Sequence, residues 1–311
     1  MPCKTVLASS VAAKFTEELK EQVAAHPEHR PLLVGFLAND DPFAVKYAEW
    51  TGKTCVETGI QFELRRVDRE QLEEAIVAAN ADPAVHGIIV YYPVFNNRQD
   101  QYLQSVVSPA KDVEGLCHVY CYNMYHNIRF MDEEKTRKCI IPCTPLAIVK
   151  VLEHLGVYNT ILPYGDRLHG KTVAVINRSE VVGRPLAALL ANDGARVYSV
   201  DVTGVQEFSR GPGISLQRHK VVDKTESVED ILPLCDVVIT GVPVESYKVN
   251  TALLKDGVVA VNFSSYRNFS DDIKQKASLY VPSVGKVTVC MLQRNLLRLA
   301  AYQRPQPANA P

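Results

Sequence analysis

The sequence predicts an α/β protein built from two α/β domains, the second a Rossmann-type dinucleotide-binding domain. Three observations carry this. Apolar, β-branched runs of strand length alternate with helix-length amphipathic segments, as in parallel sheets joined by helical crossovers. At 311 residues the chain has enough material for two hydrophobic cores. The stretch from Gly170 to Asp201 reads as strand, polar turn, helix and second strand ending in a carboxylate, the order of a dinucleotide-binding βαβ unit.

Taken in order, residues 31–38 (PLLVGFLA) form a run suited to a buried strand. Asn39, Asp40 and Asp41 then supply a cap, and Pro42 suits the first turn of a helix over 43–58 that stops at Gly59. Residues 62–67 alternate as a strand, and 69–80 place Leu72, Ile76 and Val77 at helical spacing. A buried strand over 87–92 is stopped by Pro93. Residues 96–119 read as loop and short helix, followed by Tyr- and His-rich irregular sequence to Lys138. A long helix then opens with Thr144 as cap and Pro145 as its first residue, and Ile148, Val149, Leu152 and Leu155 give it an apolar face. This helix links the domains.

In the βαβ unit, residues 172–176 form a run expected of a strand buried on both faces. Gly183 and Pro185 open a helix carrying Leu186, Leu189 and Leu190, with Gly194 as its C′ residue. Free N–H groups at such a helix start suit a pyrophosphate. Asn177 and Ser179 stand where two glycines are usual, and one extra residue precedes Gly183, so an ordinary crossover is the rival reading. Asp201 favours the cofactor: it lies eighteen residues after Gly183, close to the roughly 20 of the dinucleotide fingerprint. A carboxylate there takes the ribose hydroxyls and repels a 2′-phosphate, which selects NAD over NADP. Residues 204–224 read as a polar surface excursion, 235–243, 257–262 and 278–281 as further strands, and 288–302 as a last helix before a proline-rich, disordered tail.

Composition excludes several classes. Lys and Arg total 34 against 35 Asp and Glu, and a net charge of −1 gives no argument for nucleic acid or an anionic membrane. No apolar run reaches the roughly 18–20 residues that span a bilayer, and the first ten residues lack the marks of a targeting segment. The cytoplasm is the expected location. Among the eight cysteines, Cys117/Cys121 and Cys139/Cys143 are spaced one residue wider than a zinc knuckle and lie among Tyr120, Tyr122, Ile140 and Ile141. Reduced thiols and no metal are expected.

Several motifs, in order, resemble the methylenetetrahydrofolate dehydrogenase/cyclohydrolase family. Residues 111–115 (KDVEG) resemble its KDVDG, 142–145 are its PCTP, 178–185 (RSEVVGRP) resemble its GRSxxVGxP, and Val284, Gly285 and Thr288 resemble the end of its PGGVGPMT. The resemblance runs through nearly the whole chain. It implies that the last helix returns to the first domain, giving a folate-binding catalytic domain of residues 1–149 plus 286–311 and an NAD-binding domain of 150–285, with a folate cleft between them.

The departures are informative. The family has a tyrosine followed four residues on by a catalytic lysine, and here these positions are Tyr47 and Thr51. A glutamine two residues before a proline is replaced by Tyr91 before Pro93. In the family that lysine and glutamine serve hydrolysis of the methenyl bridge, where water attack needs a group to manage the proton and the developing charge. Thr51 and Tyr91 supply neither, and Lys53 projects from a different side of the helix. The resemblance is therefore nearest to the monofunctional NAD-dependent branch, which oxidises 5,10-methylenetetrahydrofolate to the methenyl form in one-carbon metabolism. Hydride transfer is chiefly a positioning task.

That resemblance implies a catalytic set of Tyr47, Glu114 and Cys143. Tyr47 stacks on the folate, Glu114 binds the pterin edge in place of the usual aspartate, Cys143 packs beneath the site, and Asp112 fixes the loop. Tyr91 and Pro282 join Tyr47 and Glu114 in binding substrate. Asn177, Arg178, Ser179, Val182 and Gly183 form the phosphate turn, Asp201 and Val202 hold the ribose, and Thr240 and Gly241 complete the NAD site. Tetrahydrofolate as substrate and a homodimer are the implied partners. Without the resemblance, Tyr47 reads as packing, Glu114 as a solvated charge and Arg178 as a strand cap. Two other functions stay open: a bifunctional dehydrogenase/cyclohydrolase, and a non-catalytic NAD- or folate-binding regulator.

Overall fold

The computed structural model describes residues 3–211 and 218–304; the tail expected to be disordered lies, from 305 on, outside the described residues. The chain opens with β1 (Lys4–Thr5) and α1 (Ala8–Ala24). β2 (Leu32–Leu37) alternates its side chains between two cores, Leu33 and Leu37 on one face, Val34 and Phe36 on the other. α2 (Pro42–Thr58) starts and stops where the sequence expects: the Asp41 carboxylate accepts from Phe43 N at 2.8 Å, and Gly59 closes the helix at φ +81°.

β3 (Gln61–Arg66) follows, and a 3-10 turn over Arg69–Gln71 precedes α3 (Leu72–Ala81), so the α-helix expected from residue 69 begins later. β4 (Gly87–Val90) is fully buried. After α4 (Arg98–Val106), α5 (His118–Tyr125) occupies sequence read as irregular; it buries Tyr120 and Met124. β2, β3 and β4 form a parallel sheet in the order β3-β2-β4. α2 packs on its Leu33/Leu37/Ile89 face and α3 on its Val34/Phe36/Ile88 face.

α6 (Cys143–His154) begins one residue ahead of Thr144, so Thr144 and Pro145 lie within its first turn rather than at the cap and first position. β5 (Thr172–Ile176), α7 (Gly183–Asn192) and β6 (Arg196–Asp201) realise the predicted βαβ unit, with Gly194 at φ +101° after the helix. The surface excursion read over 204–224 is corrected. Val202 and Thr203 make a two-residue turn, and β7 (Gly204–Ser209) and β8 (Lys220–Lys224) extend the sheet antiparallel. Val205 and Phe208 are the buried anchors of that hairpin.

α8 (Val228–Ile231), β9 (Val237–Thr240), β10 (Val258–Asn262), α9 (Ile273–Lys276), β11 (Ala277–Val281) and α10 (Gly285–Gln303) complete the fold. The second sheet has eight strands in the order β1-β11-β10-β9-β5-β6-β7-β8, parallel from β1 to β6. Among the described residues, no helix is long and apolar enough to cross a membrane.

The residues group into two compact units. One takes in Met1–Ala13, Asn123–Arg129 and Thr144–Thr288; the other takes in Lys14–Tyr122, Phe130–Cys143 and Val289–Pro311. Relative to boundaries drawn from the sequence, the N-terminal segment joins the dinucleotide unit because β1 pairs with β11. Residues 123–129 join it too, where Arg129 donates to Asp193 at 2.8 Å.

Candidate active site

The three-stranded unit gathers the residues assigned to folate. Lys111 O accepts from Ile88 N at 2.7 Å, and Asp112 bridges to Ile88, so the chain after α4 lies along β4. Lys111 is spent structurally: its ammonium donates to Ala79 O and Asp82 O at the C-terminus of α3. Asp112 fixes the loop as expected. Its buried carboxylate accepts from Glu114 N, Gly115 N and Cys117 N at 3.1, 2.9 and 2.8 Å.

Glu114 follows at the end of this ladder, and Val90 N donates to its Oε2 at 3.1 Å. Burial, with the Asp112 charge nearby, outweighs that single N–H and pushes its carboxyl up to about 8. Tyr47, half-buried on α2, meets Tyr91 edge-on, with ring centroids 5.7 Å apart at 86°. Both rings belong to one cluster with Val113, Cys143 and the apolar face of α10. Glu114 lies close enough for its charge to act on Tyr47, Tyr91 and Cys143, so the four are brought together.

Cys143 sits under the loop. Its thiol donates to Val113 O at 3.1 Å, and burial beside Glu114 and Asp112 holds its pKa well above the ordinary value, so it acts on the loop as an uncharged donor. Thr51 is fully buried and its hydroxyl donates to Tyr47 O at 2.9 Å. Lys53 is exposed. The Tyr91 hydroxyl is buried beside Thr51 without a well-formed hydrogen bond, and burial raises its pKa. None of the eight cysteines is joined in a disulfide, and no described group of three or more His, Cys, Asp or Glu could hold a metal ion.

In the eight-stranded unit the switch point falls between β5 and β9, because β5 runs on through α7 to β6 on its other side. Ligands of open α/β sheets bind at the carboxyl ends of strands at such a point. Asn177 takes the positive φ (+87°) usually left to glycine and donates through Nδ2 to Gly241 O at 2.7 Å, joining the first turn to the end of β9. Ser179 Oγ accepts from Val182 N and Gly183 N, both at 3.3 Å, at the start of α7. A Cβ on Gly183 would lie 1.8 Å from Asn177 O, so the turn needs glycine there.

Asp201 ends β6 with both oxygens anchored, Oδ2 by Arg178 N at 2.8 Å and Oδ1 by Val202 N at 2.7 Å. Each oxygen keeps acceptor capacity for a ribose hydroxyl. Val202 is fully exposed beside it. The Arg178 guanidinium behaves otherwise than expected for a phosphate contact. It folds back to donate to Ser199 O and Gly204 O at 2.6 and 2.7 Å, and also reaches Ser199 Oγ and Thr203 Oγ1, bracing the β6–β7 turn. The Thr240 hydroxyl is buried and bonded to Asn268 Oδ1 at 3.1 Å. Pro282 follows β11, and its carbonyl accepts from Asn262 Nδ2 at 3.1 Å. A helix start, a close-packed glycine and an anchored carboxylate at the carboxyl ends of β5 and β6 fit NAD.

Sequence reasoning missed the residues that hold these loops. Asp100 accepts from Val94 N, Phe95 N and Asn96 N, and Asn39 Nδ2 donates to Tyr91 O and Pro93 O. Asn295 is fully buried on α10. The available signal was a polar residue between Leu292 and Leu296 on an apolar face.

Residues 6–114 match the model of the tetrahydrofolate dehydrogenase/cyclohydrolase catalytic domain, and 142–210 match that of its NAD(P)-binding domain. A Schizosaccharomyces pombe protein, "Methylenetetrahydrofolate dehydrogenase [NAD(+)]", is 59% identical over 99% of this chain and 96% of its own length. A Dictyostelium discoideum protein of the same name is 50% identical over 93% of this chain and 91% of its own. The solved NAD-dependent 5,10-methylenetetrahydrofolate dehydrogenase of Saccharomyces cerevisiae superposes with a TM-score of 0.91 at 56% identity, covering 97% of this chain and 98% of that one.

Proposed function

The chain belongs to the tetrahydrofolate dehydrogenase/cyclohydrolase family, and on that premise we propose an NAD-dependent 5,10-methylenetetrahydrofolate dehydrogenase without the cyclohydrolase step. One observation carries the reading: whole-length likeness to NAD(+)-named relatives coincides with a carboxylate, Asp201, anchored at the carboxyl end of β6. The bridging carbon of the folate gives up a hydride, and the adjacent nitrogen lone pairs stabilise the cation that results. Bound NAD supplies the hydride acceptor. Tyr47 offers its ring to the folate, and Glu114 accepts from the N–H groups of the pterin edge. Asp201 accepts from the ribose hydroxyls.

Steady NADH formation from 5,10-methylenetetrahydrofolate tests the reading, with NADP run in parallel. A non-catalytic NAD- or folate-binding regulator would bind without turnover. NAD should exceed NADP in kcat/KM, because juxtaposing Asp201 with a 2′-phosphate costs several kcal/mol. Asp201→Ser removes both the ribose contact and the repulsion, so the NAD:NADP ratio should narrow by at least about tenfold. Equal use of the two cofactors by the wild type would refute the role of Asp201.

A homodimer is part of the proposal, on the family resemblance. Sedimentation equilibrium at micromolar concentration should give two chains per particle; one chain per particle would contradict it.

A further inference from the structure

We infer that Asn295 is a positioning residue for Glu114, acting through the backbone of Val113 and Ile141; the inference rests on the dehydrogenase reading above. Asn295 lies on α10 between Leu292 and Leu296, and all three are fully buried. An amide in such a place carries a desolvation cost unless its polar atoms are used. Its Nδ2 is used twice, donating to Val113 O at 2.9 Å and to Ile141 O at 3.0 Å, and it lies 3.6 Å from Cys143 Sγ. Its Oδ1 is buried without a hydrogen-bond partner. Packing alone would be served as well by leucine, so the residue's distinctive contribution is the pair of donors.

Those donors join two segments that are far apart in sequence. Val113 directly precedes Glu114, and Ile141 precedes Pro142 and Cys143. Gly115, at φ +70°, packs so closely on the second segment that a Cβ would lie 2.9 Å from Pro142 N. Cys143 Sγ adds a second donor to Val113 O. On the other side of Glu114, Asp112 holds the N–H groups of Glu114, Gly115 and Cys117. The backbone is therefore clamped both before and after the one carboxylate that reads the pterin. Without Asn295, the buried Val113 carbonyl and the part-buried Ile141 carbonyl each lose a donor and the segment carrying Glu114 is free to shift against 141–143.

Asn295→Leu keeps the apolar volume and deletes both donors. Its KM for 5,10-methylenetetrahydrofolate should rise by about 10–100-fold, the range expected for a misplacement near 1 Å. KM for NAD should stay within about twofold, and kcat should fall less than KM rises, because the lost contact is mainly one of binding. Gln293→Leu is the control. Gln293 is also fully buried on α10, but it donates to Cys55 Sγ, so its removal should leave the folate KM near the wild-type value. Should Asn295→Leu fail to fold, Asn295→Ser, which keeps one hydroxyl donor at lower volume, faces the same comparison.

Calorimetric Kd values for tetrahydrofolate without NAD should move in parallel with the folate KM. A wild type that binds tetrahydrofolate but reduces no NAD defeats the functional reading alone, and the Kd values still judge Asn295. A folded Asn295 variant with unchanged folate affinity, or a Gln293→Leu variant equally impaired, overturns the inference.

Discussion

Glu114→Gln should melt higher than the wild type at pH 8 and be a far poorer dehydrogenase. The Glu114 carboxyl is pushed from the ordinary 4.5 to about 8 by burial, with the Asp112 charge adding to the effect. Between those values the folded chain keeps a proton that the unfolded chain has released. Stability therefore falls as pH rises through this window, and below it both states are protonated. Glutamine has no proton to lose, so the gap in Tm should be small near pH 5 and grow towards pH 8. Allowing for partial solvent access, the gain is on the order of 2 kcal/mol, a few degrees of Tm.

The same substitution harms function. The pterin edge presents N–H donors, and glutamine answers one of them with a donor of its own. Losing a charge-assisted pair of this kind lowers kcat/KM by roughly 100-fold. The wild-type kcat/KM should rise with pH as Glu114 ionises, and the variant should lose that limb. Melting curves and pH–rate profiles across pH 5–9 test both halves. A variant that melts lower than the wild type at pH 8 would show that burial does not strain this carboxylate.

Much of this architecture was legible in the sequence because local signals agreed with the global fold. Asp41, Pro42 and Gly59 mark both ends of α2, and β5, α7 and β6 follow from one apolar pattern. The β7–β8 hairpin was not legible. The turn that leads from β6 into β7 is Val202-Thr203 rather than Asn-Gly, and the first four residues of β8 are exposed, so neither turn chemistry nor alternation announces the pair. α5 has no apolar periodicity to announce it either; burial of Tyr120 and Met124 fixes it.

At the site, Glu114 and Asp201 stood within motifs and could be named. Arg178 could be named too, but its guanidinium is spent on carbonyls brought near by the β6–β7 turn, which no spacing along the chain displays. Asn295 acts on Val113 from 182 residues away, and only tertiary structure makes that contact. The residues assigned to ligand were thus easier to read than those that hold them in place.

Hydrolysis of 5,10-methenyltetrahydrofolate should run no faster with the protein than in buffer alone. Two side chains decide this. Water attack on the methenyl cation needs a group that takes a proton as the bond forms, and a well-placed general base contributes about 10²–10⁴-fold. At the family's lysine position, Thr51 is buried and its hydroxyl proton is committed to Tyr47 O. At the glutamine position, Tyr91 brings a phenol whose pKa burial raises, so it does not serve as a base near neutrality. Hydride transfer survives because its barrier is lowered by alignment rather than by proton transfer. Methenyltetrahydrofolate should therefore accumulate with NADH during turnover. Thr51→Lys combined with Tyr91→Gln should recover only a small part of the hydrolysis, since Gly35 and Phe62 pack around a tyrosine and leave a glutamine poorly supported. The deciding measurement is the decay of methenyltetrahydrofolate with and without protein, in a buffer where spontaneous hydrolysis is slow. A clear protein-dependent decay would mean that another residue supplies the base, with exposed Lys53 the first to replace by methionine.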